Sequence, residues 1–391
     1  MKNIRDLDIA NKRLLIRVDF NVPLDGDGNI SDDTRILGVL ATLRYALEQQ
    51  AKVIIMSHMG RPKGQRNEKF TMAPAAQHLA QLLAVEVAMA PDCIGPEVEE
   101  LVMGMKPGQV LMLENLRFYG EETANDPEFA QKLANLAEVY VNDAFAVSHR
   151  AHASVVGVPA QLNASGAGFL LQKEMDFFHQ AVEAPRRPLA AVVGGAKVSS
   201  KLGALTAMME RVDKMIIGGA MANTFLKAQG HDVGASLVED DLLATARELM
   251  VQAEKLGVKL YLPVDVVAAQ EFSATAVSKR CPIQEIPADW LALDIGPAST
   301  ILFNEALDTA QTVVWNGPMG AFETDPYSRG TSAMVMHLAC SPALTIVGGG
   351  DTNAAVNLAG EKENFSYMST GGGAFLMLME GKELPGVTVL A

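Results

Sequence analysis

The chain has 391 residues, 49% hydrophobic and 20% charged, with 33 glycines and 18 prolines spread along its length. At about 150 residues per domain, that describes a globular chain of two or three domains, each able to bury a core. Lysine and arginine number 32 against 46 aspartates and glutamates, a net charge of −14; this argues against nucleic acid and anionic membranes as partners, yet leaves room for a local basic pocket.

Apolar runs with the length and β-branched content of buried strands recur in chain order. They are Leu14–Val18, Val53–Met56, Val110–Leu113 and Val139–Val141, then Leu189–Val193, Met215–Ile217, Val258–Leu262, Thr312–Trp315 and Leu344–Val347. Helical periodicity separates them at Asp33–Gln50, Pro74–Leu83, Asp240–Leu256 and Tyr327–Leu338. The alternation predicts an α/β protein whose parallel sheets are covered on both faces. Between the two series, Gly168–Ala184 sets Leu171, Phe178 and Val182 near one helical face and stops at Pro185. An interdomain spacer and an ordinary intradomain helix fit that pattern equally.

Ligands of open parallel sheets bind at the carboxyl ends of the strands, so the residues after each run carry the functional information. In the first half these are Arg17-Val-Asp19-Phe-Asn21, Ser57-His58-Met-Gly-Arg61, Glu114-Asn-Leu-Arg117 and Asn142–His152, the last including His149 and Arg150. Arginine or histidine stands at every such end, and Arg35 follows early in a helix. Singly, each would be a surface ion pair. Together, their planar donor forks suit a small, multiply anionic ligand. In the second half the strand ends are glycine-rich: Gly194-Gly-Ala-Lys197-Val-Ser-Ser-Lys201, Gly218-Gly-Ala, Asn316-Gly-Pro-Met-Gly-Ala-Phe-Glu323 and Gly348-Gly-Gly-Asp351-Thr352. Such loops admit phosphate to backbone N–H groups, although any single cluster is as readily a plain turn. Lys197 and Lys201, four apart, are expected on one face of a helix beginning there. Asp351 and Thr352 suit Mg²⁺ carried with a nucleotide.

A P-loop, a dinucleotide fingerprint and a hydrolase elbow are missing from the sequence. The rival readings are a hinged two-lobe binding protein for a small polyanion and an NAD-dependent dehydrogenase. The former would not need the lysines and Asp351; the latter lacks its fingerprint. Three distant cysteines read as reduced thiols, no signal-peptide segment opens the chain, and the uncharged stretches Ala151–Gln172 and Gly330–Gly350 are broken by polar or turn residues. A cytoplasmic protein is the expectation.

Several segments together resemble the phosphoglycerate kinase family along the whole chain: Arg17-Val-Asp-Phe-Asn-Val-Pro23, His58-Met-Gly-Arg-Pro-Lys-Gly64, Leu113-Glu-Asn-Leu-Arg-Phe118, Gly194–Lys201, Trp315-Asn-Gly-Pro-Met-Gly320, Gly348–Thr352 and Ser369-Thr-Gly-Gly-Gly373. The resemblance implies two doubly wound, Rossmann-like parallel-sheet domains joined by a helical hinge. It divides the chain into residues 1–168 for 3-phosphoglycerate, 169–185 as hinge, 186–370 for Mg-nucleotide, and 371–391 returning toward the first domain. It implies that Asp19, Phe20, Asn21, Arg35, His58, Met59, Gly60, Arg61, Arg117 and Arg150 surround 3-phosphoglycerate, with Arg35 nearest the accepting carboxylate. Lys201, Glu323, Gly349, Gly350, Asp351 and Thr352 would hold the nucleotide, Glu323 near the ribose and Asp351 on Mg²⁺. Lys197 with the amides of Gly349 and Gly372 would stabilise the phosphoryl group in flight. The implied reaction is reversible phosphoryl transfer between 1,3-bisphosphoglycerate and ADP in a monomer whose domains close. The chain departs from the family pattern at Ala146-Val-Ser148, at Ala321, and at Phe375, where a small residue is usual behind the glycine run.

Overall fold

In a computed structural model describing residues 1–391, the chain packs as two compact units: Met1–Asp176 with Glu383–Ala391, and Phe177–Lys382. The first unit contains strands β1 (Arg13–Arg17), β2 (Lys52–Met56), β3 (Val87–Met89), β4 (Val110–Met112), β5 (Val139–Asn142) and β6 (Ser165–Ala167). Its helices are α1 (Thr34–Glu48), α2 (Ala73–Leu83), α3 (Pro96–Gly104), α4 (Gly120–Ala124) and α5 (Pro127–Ala134); α6 (Phe169–Phe178) carries the chain out of it. The second unit contains β7 (Leu189–Val193), β8 (Lys214–Ile217), β9 (Lys259–Tyr261), β10 (Asp265–Ala269), β11 (Ser278–Pro282), β12 (Leu291–Ile295), β13 (Thr312–Asn316), β14 (Leu344–Gly348) and β15 (Tyr367–Met368). Its helices are α7 (Leu202–Met209), α8 (Met221–Ala228), α9 (Leu243–Leu256), α10 (Pro297–Asp308), α11 (Arg329–Ala339), α12 (Gly350–Leu358) and α13 (Gly372–Met379), whereas the terminal α14 (Pro385–Thr388) belongs to the first unit.

Each unit is built on a six-stranded parallel sheet, ordered β3-β4-β2-β1-β5-β6 and β15-β14-β13-β7-β8-β9. The fold is therefore α/β, as the alternation of runs predicts. The strands are apolar on both faces because helices cover both. Leu14, Ile16, Val53 and Val141 pack with Val39, Leu43 and Leu79 in the first core; Val192, Val313 and Trp315 pack with Phe303, Met334 and Leu338 in the second. Each such side chain contributes roughly 1.5–3 kcal/mol on burial. Strand order reverses between β1 and β5 in one sheet and between β7 and β13 in the other. These are the positions where doubly wound sheets open a ligand crevice.

Three local expectations need correction. An antiparallel sheet, β11-β10-β12, supplements the second unit; its outer strand, Ser278-Lys-Arg-Cys-Pro282, is largely exposed and too polar to read as a buried run. The helix expected from Tyr327 starts at Arg329 because Asp294 accepts from the Gly330 N–H there. The expected single helix through Ala184 is α-helical only to Phe178 and then widens into a π-turn over His179–Glu183. Leu171, Phe178 and Val182 are nonetheless all buried.

Candidate active site

In the first unit, β1 aligns Arg17 with Asn142 of β5, so the loops after both strands open at one place. Asp19 is buried; its Oδ2 accepts from Arg35 Nη1 at 2.7 Å and its Oδ1 from the Asn21 N–H at 3.2 Å. Arg35 Nη1 also donates to the Asn21 carbonyl at 3.1 Å. Gly60 joins this group to Arg117: its N–H donates to Asn21 Oδ1 and its carbonyl accepts from Arg117 Nη1, each at 2.8 Å. Its φ of +60°, and a Phe70 ring where a Cβ would stand, admit only glycine. Beside it lies a cleft of about 380 Å³ lined by Arg61, Lys63, Arg117, Tyr119, Arg150 and His152 among others. Its walls are cationic in an acidic protein.

A buried network underlies this cleft. Arg17, fully buried, donates to Ser154 Oγ at 2.8 Å and to the Val18 carbonyl. Ser154 in turn donates to Glu122 through its hydroxyl at 2.6 Å and its N–H at 2.9 Å. Arg17 Nη2 stands 3.2 Å from His58 Nδ1; guanidinium only donates, so Nδ1 accepts and the ring proton sits on Nε2. Burial, then Arg17, Arg117 and Arg35, hold the His58 pKa well below its usual value. Burial and Arg117 likewise lower His152 to about 4, and burial lowers Arg117 to about 10. Arg117 thus remains charged at neutral pH while the buried imidazoles serve as neutral donors or acceptors.

In the second unit, register aligns Val193, Asn316 and Gly348 across β7, β13 and β14. Lys201 Nζ crosses to β13, donating to the Asn316 carbonyl at 2.9 Å and to its Oδ1 at 2.5 Å; Asn316 Nδ2 then donates to the Gly348 carbonyl at 2.9 Å. Thr352 Oγ1 accepts from the Gly317 N–H at 2.7 Å, tying α12 to the same loop. Gly349 caps α12 and Gly372 opens α13, and a Cβ on Gly372 would lie 3.4 Å from Gly349 Cα. Two helix N-termini therefore meet beside a half-buried lysine. Burial lowers Lys201 to about 8, and Asp351 pulls in the opposite direction. Such aligned amides and a cation form an anion cradle.

The sequence-derived residues separate into groups. Asp19, Asn21, Arg35, Gly60 and Arg117 join in one hydrogen-bonded cluster, with His58 Nδ1 3.7 Å from Asp19. Arg61 and Arg150 share the adjoining cleft with Arg117. Phe20 and Met59 are buried, and the Phe20 N–H and Met59 carbonyl are already bonded to Ser57 Oγ and Asn115 Nδ2, each at 2.8 Å. Lys201, Gly349, Thr352 and Gly372 come together as described, with Gly350 and exposed Asp351 in the first turn of α12. Glu323 is exposed on the loop after β13.

Lys197 and Lys201 do not share a helix face: α7 begins at Leu202, Lys201 is its cap, and Lys197 is exposed in the preceding loop. Gly195 at φ +115° and a turn closed from the Lys201 N–H to the Val198 carbonyl keep that loop out of the helix. The first two glycine clusters serve packing as well. A Cβ on Gly194 or Gly218 would overlap the Pro318–Met319 segment. Phe375 lies buried against Gly348, filling the space behind the glycine run. Glu122, Ser154 and Asn316 were missed as site residues. Nothing in the local sequence of Glu122 or Ser154 distinguishes them; Asn316 stands in a strand-end motif, but only the tertiary pairing shows its bond to Lys201.

The phosphoglycerate kinase family model matches residues 4–382. A phosphoglycerate kinase of Desulfotalea psychrophila is 63% identical over 390 residues, 100% of both chains, and one from a Geobacter species is 58% identical over 98% of this chain and 96% of its own. The structure of phosphoglycerate kinase from Coxiella burnetii matches with a TM-score of 0.92 at 41% identity, covering 100% of this chain and 98% of that one. The crystal structure from Pyrococcus horikoshii matches at 0.85 and 32% identity, with the same coverage. The chain belongs to the phosphoglycerate kinase family and is a phosphotransferase, moving a phosphoryl group reversibly between 1,3-bisphosphoglycerate and ADP in glycolysis.

Proposed function

We propose that the first unit holds 3-phosphoglycerate and the second holds the Mg-nucleotide. The observation that carries the second assignment is the meeting of the α12 and α13 N-termini at Gly349 and Gly372, beside Lys201. In this reading Arg61, Arg117 and Arg150 hold the substrate phosphate at the cationic cleft. Arg35, fixed by Asp19 and Asn21, orients the accepting carboxylate, with His58 Nε2–H as a neutral donor. Lys201 and the α12 amides hold the nucleotide phosphates, and Glu323 faces the ribose. Lys197, exposed in its loop, moves with the transferring group.

A carboxylate acceptor is ionised at neutral pH, so no general base is needed. The chemical burden is to bring two polyanions together and offset the charge on the transferring oxygens, which aligned amides and cations do. Direct in-line transfer requires the two ligands to meet during turnover, with water excluded. No group of three or more His, Cys, Asp or Glu side chains is disposed to hold a metal. One exposed carboxylate, Asp351, beside a glycine turn fits Mg²⁺ that arrives on the nucleotide. Asp351 would hold such an ion, which would supply positive charge against the phosphates. We further assign the enzyme to the cytoplasm as a monomer. Unpaired Cys93, Cys281 and Cys340 support the compartment, family likeness supports the monomer, and no helix is long and apolar enough to cross a membrane.

A coupled assay of 1,3-bisphosphoglycerate formation tests these roles. Lys197→Ala and Arg35→Ala are each expected to lower kcat by about 10²–10³, as loss of one transition-state donor does. Unchanged kcat in a folded variant would remove that residue from the reaction.

A further inference from the structure

Away from the glycine cradle, the second unit carries a groove of about 720 Å³ between its antiparallel sheet and helices α10 and α11. That volume suits a small-molecule site. Val267 and Ile295 are buried in its floor, and Pro297, Ile301 and Ala333 extend the apolar lining. The apolar surface continues outward. Ile301 is 60% exposed, as is Phe272, whose ring centroid stands 6.4 Å from that of Tyr327 beside the lining Pro326; Val277, preceding the lining Ser278, is 63% exposed. Exposed apolar side chains at and beside a groove mark an interaction site more often than scattered surface residues do.

The rim has the opposite charge to the molecule. Lys279, Arg280 and Arg329 line the groove of a chain with net charge −14. Lys279 lies over Trp290 at 5.7 Å, and Arg329 meets Asp325 at 3.6 Å in a pair open to water, which holds it weakly. The helix amides at the groove are already used. Asp265 accepts from the Ala298 and Ser299 N–H groups at 3.0 and 2.7 Å, and Asp294 from that of Gly330 at 2.7 Å. A bare phosphate would thus find no free helix terminus and would leave the floor wet. A neutral apolar molecule would crowd the arginines without compensating them. An apolar body with one anionic head satisfies both surfaces.

We propose that this groove is a binding site for a small amphipathic organic anion, its apolar body on Ile295 and Ile301 and its head between Arg280 and Arg329. None of the residues placed at the nucleotide cradle lines it. The site is independent of the transfer reaction.

The test uses the full chain, saturated with Mg-ADP and 3-phosphoglycerate, titrated with 8-anilino-1-naphthalenesulfonate by fluorescence and calorimetry. One saturable site is expected. Arg280→Glu and Ile301→Glu should each weaken it at least about tenfold, and the uncharged N-phenyl-1-naphthylamine should bind the parent about tenfold more weakly. Both substituted positions are exposed and outside the proposed catalytic set, so parental turnover certifies that the variants fold. Absence of saturable binding, affinity retained in either variant, or equal binding of the neutral probe would overturn the proposal.

Discussion

At Lys201, burial and charge pull in opposite directions. Burial lowers its pKa to about 8, while Asp351 raises it, so near pH 8 the free enzyme holds about half a proton there. Phosphates seated on the cradle favour the charged form. Binding of Mg-ADP at pH 8 should therefore take up roughly half a proton, and close to none at pH 6.5. Calorimetry in buffers of different ionisation enthalpy measures this, and Lys201→Met should abolish it; equal uptake in that variant would assign the proton elsewhere. Asp294 provides a second titration. Its carboxylate accepts from the Ile295 and Gly330 N–H groups, and burial raises its pKa to about 7. The folded chain then binds more protons than the unfolded chain between the ordinary value of 3.8 and about 7, so stability from this group falls as pH rises through that window. Both tryptophans, Trp290 and Trp315, report the second unit. In urea melts followed by their fluorescence, Asp294→Asn should flatten the decline in unfolding free energy between pH 5 and 7. Asp143→Asn should leave it unchanged, because Asp143, also raised to about 7 by burial, lies in the first unit.

At the scale of elements, the cradle depends on what braces α12 and α13. Phe375 is the brace: it is buried in α13 and its ring occupies the space next to Gly348 at the end of β14. The ring thus occupies space that a small residue at this position would leave unfilled. Phe375→Ala should cost about 3–5 kcal/mol of stability in the second unit. It should also raise KM for Mg-ATP more than KM for 3-phosphoglycerate, since α12 and α13 lose their common support. A loss of stability with both KM values unchanged would reduce Phe375 to core packing alone.

At the scale of the molecule, the chain passes between its units twice, once within α6 and again at Lys382/Glu383. The returning end is fastened to the first unit. The Gly386 N–H donates to the Ser148 carbonyl and Asn142 Nδ2 donates to the Gly386 carbonyl, both at 2.9 Å. A Cβ on Gly386 would overlap Val155 and crowd Ser148, so the tail lies flush on the loops that follow β5. Deleting Glu383–Ala391 should speed hydrogen exchange in residues 142–158 while leaving the tryptophan-reported transition of the second unit unchanged. If exchange there stayed at the parental rate, the tail would carry no weight in the first unit.

Local sequence alone determined the strand series, the arginine and glycine strand ends, and through them the polyanion and nucleotide readings. A fully buried strand needs no partner to be recognised: Leu189–Val193 is apolar at every position because both faces of its sheet are covered. Ser278–Pro282 was illegible as a strand because it is largely exposed, and Val87–Met89 because it is a partly exposed edge strand that needs no continuous apolar run. Only the tertiary structure decided which strand ends meet. Strand order places β5 beside β1 and β13 beside β7, and from that order follow the Arg17–Ser154–Glu122 network and the Lys201–Asn316 bond. The reason is physical: an apolar run records only that a segment is buried, whereas the partner across the sheet is chosen by packing between residues more than a hundred positions apart.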